Sequence, residues 1–127
     1  KENIFYYIQY AHARIFSLEH KYVEMYPGLG TSIEAIEKDL YDKCDPLIHE
    51  ISKYPKIVNK SARMLQPHII IFYLKDLSQL FHSYYNDNHV LSESKENMQS
   101  IILCLSAVRQ IISNGLSILG ISPMQKM

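Results

Sequence analysis

Asn3-Ile4-Phe5-Tyr6-Tyr7-Ile8-Gln9-Tyr10-Ala11-His12-Ala13-Arg14-Ile15-Phe16-Ser17-Leu18, continued to Tyr22 and Met25, is the stretch that decides the fold. Within it Ile4, Ile8, Ala11, Ile15, Leu18, Tyr22 and Met25 recur at alternating steps of four and three. At about 100° per residue this draws one apolar stripe, which predicts a single long helix over residues 3–26. Asn3 is placed to cap it, and Pro27-Gly28 with Gly30 to stop it.

The same period continues outward. Residues 31–44 are more charged and less regular, and hold either a short helix from Ser32 or a connector. Asp45-Pro46 reads as a cap with proline at the first helical position, opening a helix to about Lys53. Pro55 opens another to about Leu65, with Ile57, Val58, Ala62 and Leu65 facing inward. After Pro67, the residues Ile70, Tyr73, Leu74, Leu77, Leu80, Phe81 and Tyr84 form one face of a helix ending near Asn86-Asp87-Asn88. Ser92 or Ser94 caps a last helix that turns Met98, Ile101, Ile102, Leu105, Val108, Ile112 and Leu119 inward, before Ser122-Pro123 turns the chain away. Gly115 within it gives up about 1 kcal/mol of helix propensity relative to alanine, which points to a close neighbour. Ile69-Ile70-Ile71-Phe72 and Ile111-Ile112 have strand-like local propensity, but the helical period runs through both. The expected fold is all-α: one bundle of five or more helices.

A chain of 127 residues with 47% hydrophobic content can bury a core without disulfides or a metal. Thirteen basic side chains balance thirteen acidic ones, a composition that argues mildly against a free-standing nucleic-acid binder. It leaves room for a module within a larger protein, and the start at Lys1 rather than a methionine favours that expectation. Cys44 and Cys104 have neither metal-ligand nor redox-pair spacing, so both read as buried or incidental thiols in a reducing compartment. No secretory segment and no apolar run long enough for a bilayer stand out, and a soluble chain is expected.

The chemistry concentrates in tyrosine, which occurs ten times against no tryptophan. Tyr7, Tyr10, Arg14 and Lys21 fall within roughly a 60° arc of the first helix. Such a set is either a platform on which unpaired bases stack or a row of rings edging the core with hydroxyls in water. Lys56, Lys60 and Arg63, with Lys53 just before them, are either a phosphate stripe or a solvated helix face. Six histidines form no metal-binding pair on one helix face, and His12 reads as a packing or helix-orienting residue. No nucleophile elbow and no glycine-rich phosphate loop is present, so no catalytic site is legible.

Ordered blocks along the chain carry a resemblance. They are Ile4 through Arg14, Pro67-His68, Leu74-Lys75-Asp76-Leu77, Phe81-His82-Ser83-Tyr84-Tyr85-Asn86, Val90-Leu91, Ala107 through Leu116, and the tail Gly115 through Met127. Together they resemble the C-terminal anticodon-binding (DALR-type) domain of arginyl-tRNA synthetase. The resemblance implies a helical bundle, residues 1–127 being one domain of a larger synthetase, that grips the anticodon arm of arginine tRNA. Position by position it assigns Tyr7 and Tyr10 to the anticodon bases, Arg14 to the adjoining nucleotide and Tyr85 to packing on the loop. Met127 takes the place of a methionine that closes over the same site, with Lys126 beside it. Some relatives carry a tryptophan near His89, and Gln125-Lys126 stands where Glu-Arg is common. The parent would be a cytoplasmic enzyme that uses ATP with magnesium to join arginine to its tRNA. The fragment itself would hold no catalytic site, metal or cofactor, and would bind neither DNA nor membrane. The competing class is a tyrosine-rich helical protein-interaction module. Rings converging on an open surface favour RNA; scattered and buried rings favour the module.

Overall fold

The structure is a computed structural model and describes residues 3–28 and 38–127, with the side chains of 38–43 left aside. Asn3 caps the first helix, α1 (Ile4–Met25), its side-chain oxygen accepting the Phe5 and Tyr6 amides. Ile8, Ala11, Ile15, Leu18 and Tyr22 of the predicted stripe are buried, whereas Met25, the last residue of the helix, is exposed. The expectations for Gly30 and for residues 31–37 lie outside the described residues.

Helix α2 (Lys38–Ser52) differs from its predicted start, because it runs straight through Pro46. Proline removes one helical hydrogen bond and crowds the preceding turn. Burial of Cys44 and Leu47 on either side offsets that. Helix α3 (Tyr54–Met64) stops where Leu65 takes a left-handed φ of 53°. This turn sends Leu65 outward, 86% exposed, and Ala62 is exposed as well. Ile57 and Val58 are half-buried, and the inward position belongs to Ser61, whose hydroxyl donates to the Gln66 carbonyl.

Helix α4 (His68–Asp87) buries Ile70, Tyr73, Leu74, Leu77 and Phe81, as its period predicts. A short 3-10 turn (Val90–Ser92) takes up Ser92, so Ser94 caps α5 (Lys95–Ile118). α4 and α5 form the centre of the bundle: α1 and α2 each pack against both, and α3 packs on α4. Gly115 meets Leu74, and a Cβ there would lie 2.8 Å from a methyl carbon of that leucine. Cys44 and Cys104 are both buried with free thiols. A hydrogen bond between them and burial hold the Cys104 thiol far above its ordinary range.

One expectation needs correcting: α5 is long and apolar enough to cross a bilayer by length and composition. Its apolar residues Met98, Ile101, Ile102, Leu105, Val108, Ile112 and Leu116 instead belong to the core shared with the other helices. A second correction concerns the exit from α5. The helix ends at Ile118, and Gly120 turns the chain at φ 78°. The Ile121 amide reaches back to the Leu116 carbonyl and the Gly120 amide to that of Ser117, a Schellman ending that only glycine fills without strain. Ser122-Pro123 lies beyond the turn.

Candidate nucleic-acid interface

The turn at Gly120 sends residues 122–127 back across α1, where two buried polar side chains meet them. Gln9 donates through Nε2 to the Ser122 carbonyl at 2.9 Å and accepts the Met124 amide on Oε1 at 2.7 Å. His12 Nδ1 donates to the Met124 carbonyl at 2.6 Å. The tail is therefore held at its base, and beyond Met124 it forms one wall of a concavity of about 410 Å³. Tyr10, Ala13, Arg14, Ser17, Leu18 and Lys21 of α1, Tyr85 of α4, and Gln125, Lys126 and Met127 line it.

Arg14 organises this hollow. Its guanidinium lies against two rings, with the central carbon 4.5 Å from the Tyr10 centroid and 4.3 Å from that of Tyr85. One terminal nitrogen donates to the Tyr10 hydroxyl at 2.7 Å and the other to His82 Nδ1 at 3.2 Å. A planar fork can meet two rings and two acceptors at once, which a lysine ammonium cannot. Among the described residues the lining has three cationic side chains, Arg14, Lys21 and Lys126, and no acidic one. The zero net charge of the whole chain hides this local asymmetry.

Five of the six expected residues thus meet here: Tyr10, Arg14, Tyr85, Lys126 and Met127. Tyr7 does not line the concavity; it borders a separate hollow with Ile4, Lys75 and Gln79. It joins the group indirectly, through the His82 ring, whose centroid lies 4.8 Å from that of Tyr7 and 5.5 Å from that of Tyr10. The tyrosines divide between the two readings of the sequence: Tyr22 and Tyr73 are core residues, whereas Tyr10 and Tyr85 stand half-buried at an open rim. Across Tyr85, a second hollow is lined by Asn86, Asn88, exposed His89 and Leu91. Lys53, Lys56, Lys60 and Arg63 are exposed and stand apart from both hollows, with Lys53 paired to Glu50 and Arg63 bonded to Asn59. Among the described residues no group of His, Cys, Asp and Glu converges as a metal site would.

Three residues of this assembly, His82, Gln9 and His12, lie outside the six expected from the sequence. His82 sits one turn before Tyr85, but its contact with Arg14 depends on how α1 crosses α4. Gln9 and His12 are a polar pair at helical spacing beside the apolar stripe, and that pattern is the one hint that something polar must cover them.

Burial lowers the pKa of His12 from its ordinary value of 6.5, and Arg109 of α5 adds to the effect, while the Met124 carbonyl and Glu19 oppose it. Burial also lowers His82, with Arg14 adding to it and the Tyr7 backbone opposing. A histidine whose folded pKa lies below its unfolded value stays neutral in the fold while the unfolded chain takes up protons. The fold should therefore lose stability as pH falls from about 6.5 toward the lowered folded values. Melting temperatures measured from about pH 7.5 down to about pH 5 should decline, and His12→Asn should flatten part of that slope.

The family profile described as the DALR anticodon binding domain matches residues 8–127. The chain is 35% identical over 99% of its length to an arginine–tRNA ligase of Paraburkholderia phymatum, and 38% identical over 99% to one of Desulfosudis oleivorans. It spans 22% and 23% of the length of these two ligases. Among solved structures, a Campylobacter jejuni protein assigned as an arginyl-tRNA synthetase superposes with a TM-score of 0.78 at 32% identity, over 98% of this chain and 27% of its own. An arginyl-tRNA synthetase of Thermus thermophilus shares the fold with a TM-score of 0.77 at 23% identity, over 95% of this chain and 21% of its own.

Proposed function

The chain belongs to the DALR anticodon binding domain family, and we propose that it grips the anticodon arm of arginine tRNA as the C-terminal domain of an arginyl-tRNA synthetase. The observation that carries the reading is the joint placement of Tyr10, Arg14, Tyr85 and the 125–127 tail around one open concavity. Two rings on the rim offer faces for unpaired bases, and the three cations of the described lining suit the phosphates that connect those bases. An interaction module needs no such local charge separation.

On this reading residues 1–127 are a single domain that positions RNA. Arginine activation with ATP and magnesium, and transfer to the tRNA, belong to a catalytic domain elsewhere in a cytoplasmic protein. Met127 packs against a base or a ring, Lys126 meets a phosphate, and Tyr7 contributes by buttressing His82.

The test is binding of an arginine tRNA transcript against a non-cognate tRNA, read by filter retention across a salt series. The isolated chain is expected to prefer arginine tRNA, to bind it weakly, and to perform no arginylation. Three cationic contacts to a single-stranded loop give a slope of log affinity against log salt of about −2. Equal retention of the two tRNAs, or transfer of arginine by this chain alone, would reject the reading.

A further inference from the structure

Neither Gln9 nor His12 lines the concavity, and both are buried, with 6% and 3% of their surface exposed. We propose that they are positioning residues of the RNA site: a latch that fixes Ser122 and Met124 on α1 and so sets Lys126 and Met127 over Tyr10 and Arg14. The inference rests on the anticodon-arm reading and adds to it how the site is held together.

Each bond of the latch has a defined direction. A carbonyl only accepts and an amide N–H only donates, so Ser122 and Met124 fix which end of the Gln9 amide faces which group. His12 must likewise carry its proton on Nδ1 to donate to Met124. Both backbone groups of Met124 are therefore taken up by side chains one helical turn apart. The dependence is mutual, because a buried amide or imidazole without a partner is strongly disfavoured. The tail supplies partners for both polar atoms of Gln9 and for one ring nitrogen of His12. The other nitrogen, Nε2, is buried without one among the described residues, so they offer the ring no second bond that would keep it satisfied if the tail left.

The arm beyond the latch is short. Three residues separate Met124 from Met127, and an extended chain covers at most about 3.3–3.6 Å per residue. Anchoring Met124 therefore confines the end of the arm to the neighbourhood of the concavity before RNA arrives. A ligand meeting an ordered wall avoids the entropy of ordering it.

The experiment uses this chain, intact and ending at Ile121, with Gln9→Leu, His12→Leu and His12→Asn in each background. Affinity for an arginine tRNA transcript and the NMR position of the Met127 ε-methyl group are measured. Gln9→Leu and His12→Leu are each expected to weaken binding about tenfold in the intact chain by freeing the arm. Both should shift the Met127 methyl toward its disordered position. His12→Asn keeps a donor near the place of Nδ1 and should restore most of the affinity. In the shortened chain none of the three should weaken binding further, since the latch has nothing left to hold. Equal losses in both backgrounds, or an unmoved Met127 methyl, would mean that these residues act only on the fold and would overturn the latch. Equal affinity of the unsubstituted intact and shortened chains would overturn it too, while the anticodon reading stands. No binding by the intact chain would overturn the anticodon reading itself, and the latch's role in RNA binding with it.

Discussion

Tyr10→Ala is expected to weaken the binding of arginine tRNA by about 1–3 kcal/mol, the contribution of one base stacked on an aromatic ring. The geometry adds a second consequence. Tyr10 gives Arg14 one of its two ring faces and accepts one of its hydrogen bonds, so removing the ring also loosens the guanidinium. Arg14→Lys should weaken binding as well, because an ammonium keeps the charge but cannot lie between Tyr10 and Tyr85 while bonding both the Tyr10 hydroxyl and His82. As the two residues act through one contact, the double variant should lose less than the sum of the single losses. Titration of the variants with arginine tRNA, with helicity checked by circular dichroism, decides the matter. Unchanged affinity in both well-folded single variants would remove Tyr10 and Arg14 from the interface.

Phe81→Ala should have the largest effect on the fold. Phe81 is fully buried, with its ring 5.3 Å from that of His82 and 6.0 Å from that of Tyr85. Emptying a core position of this size costs about 3–5 kcal/mol, which for a chain of this length lowers the melting temperature by roughly 10–20 °C. The cavity would open under the two residues that face Arg14, so tRNA affinity should also fall well below the melting transition. Phe81→Leu, which refills most of the space, should recover much of both losses. A shift of less than a few degrees for the alanine variant would show that the neighbours close over the gap and that the site does not rest on this ring.

The helical order of the chain is readable from its periodicity because each long helix buries one stripe and little else competes. The failures have local causes. Pro46 looks like a helix start, and nothing nearby in sequence reveals that Cys44 and Leu47 will be buried firmly enough to carry a helix past it. Leu65 looks like a core residue because it is apolar and in phase, yet a left-handed turn directs it outward. At the site, spacing sets Tyr10, Arg14 and Lys21 on one arc, whereas Tyr85, Lys126 and Met127 come from the family resemblance alone. Spacing placed Tyr7 on the same arc as Tyr10, and a helical arc cannot tell which of its residues a neighbouring helix will cover. His82 covers Tyr7, and that contact depends on the α1–α4 crossing.

The contacts that hold the tail span 112 to 115 positions of the sequence. At a synthesis rate of about 5–20 residues per second, His12 leaves the ribosome's catalytic centre roughly 5–25 s before Met124 is made. The apolar stripes of all five helices are complete once Ile118 has been added, six positions before Met124, so the core can form while the concavity still lacks one wall. A product cut short near Ile121 would fold around the same core and still be unable to finish the site. That wall is the part of the site whose loss the core would not register, so a chain shortened in this way should keep most of its melting temperature and still bind RNA less well.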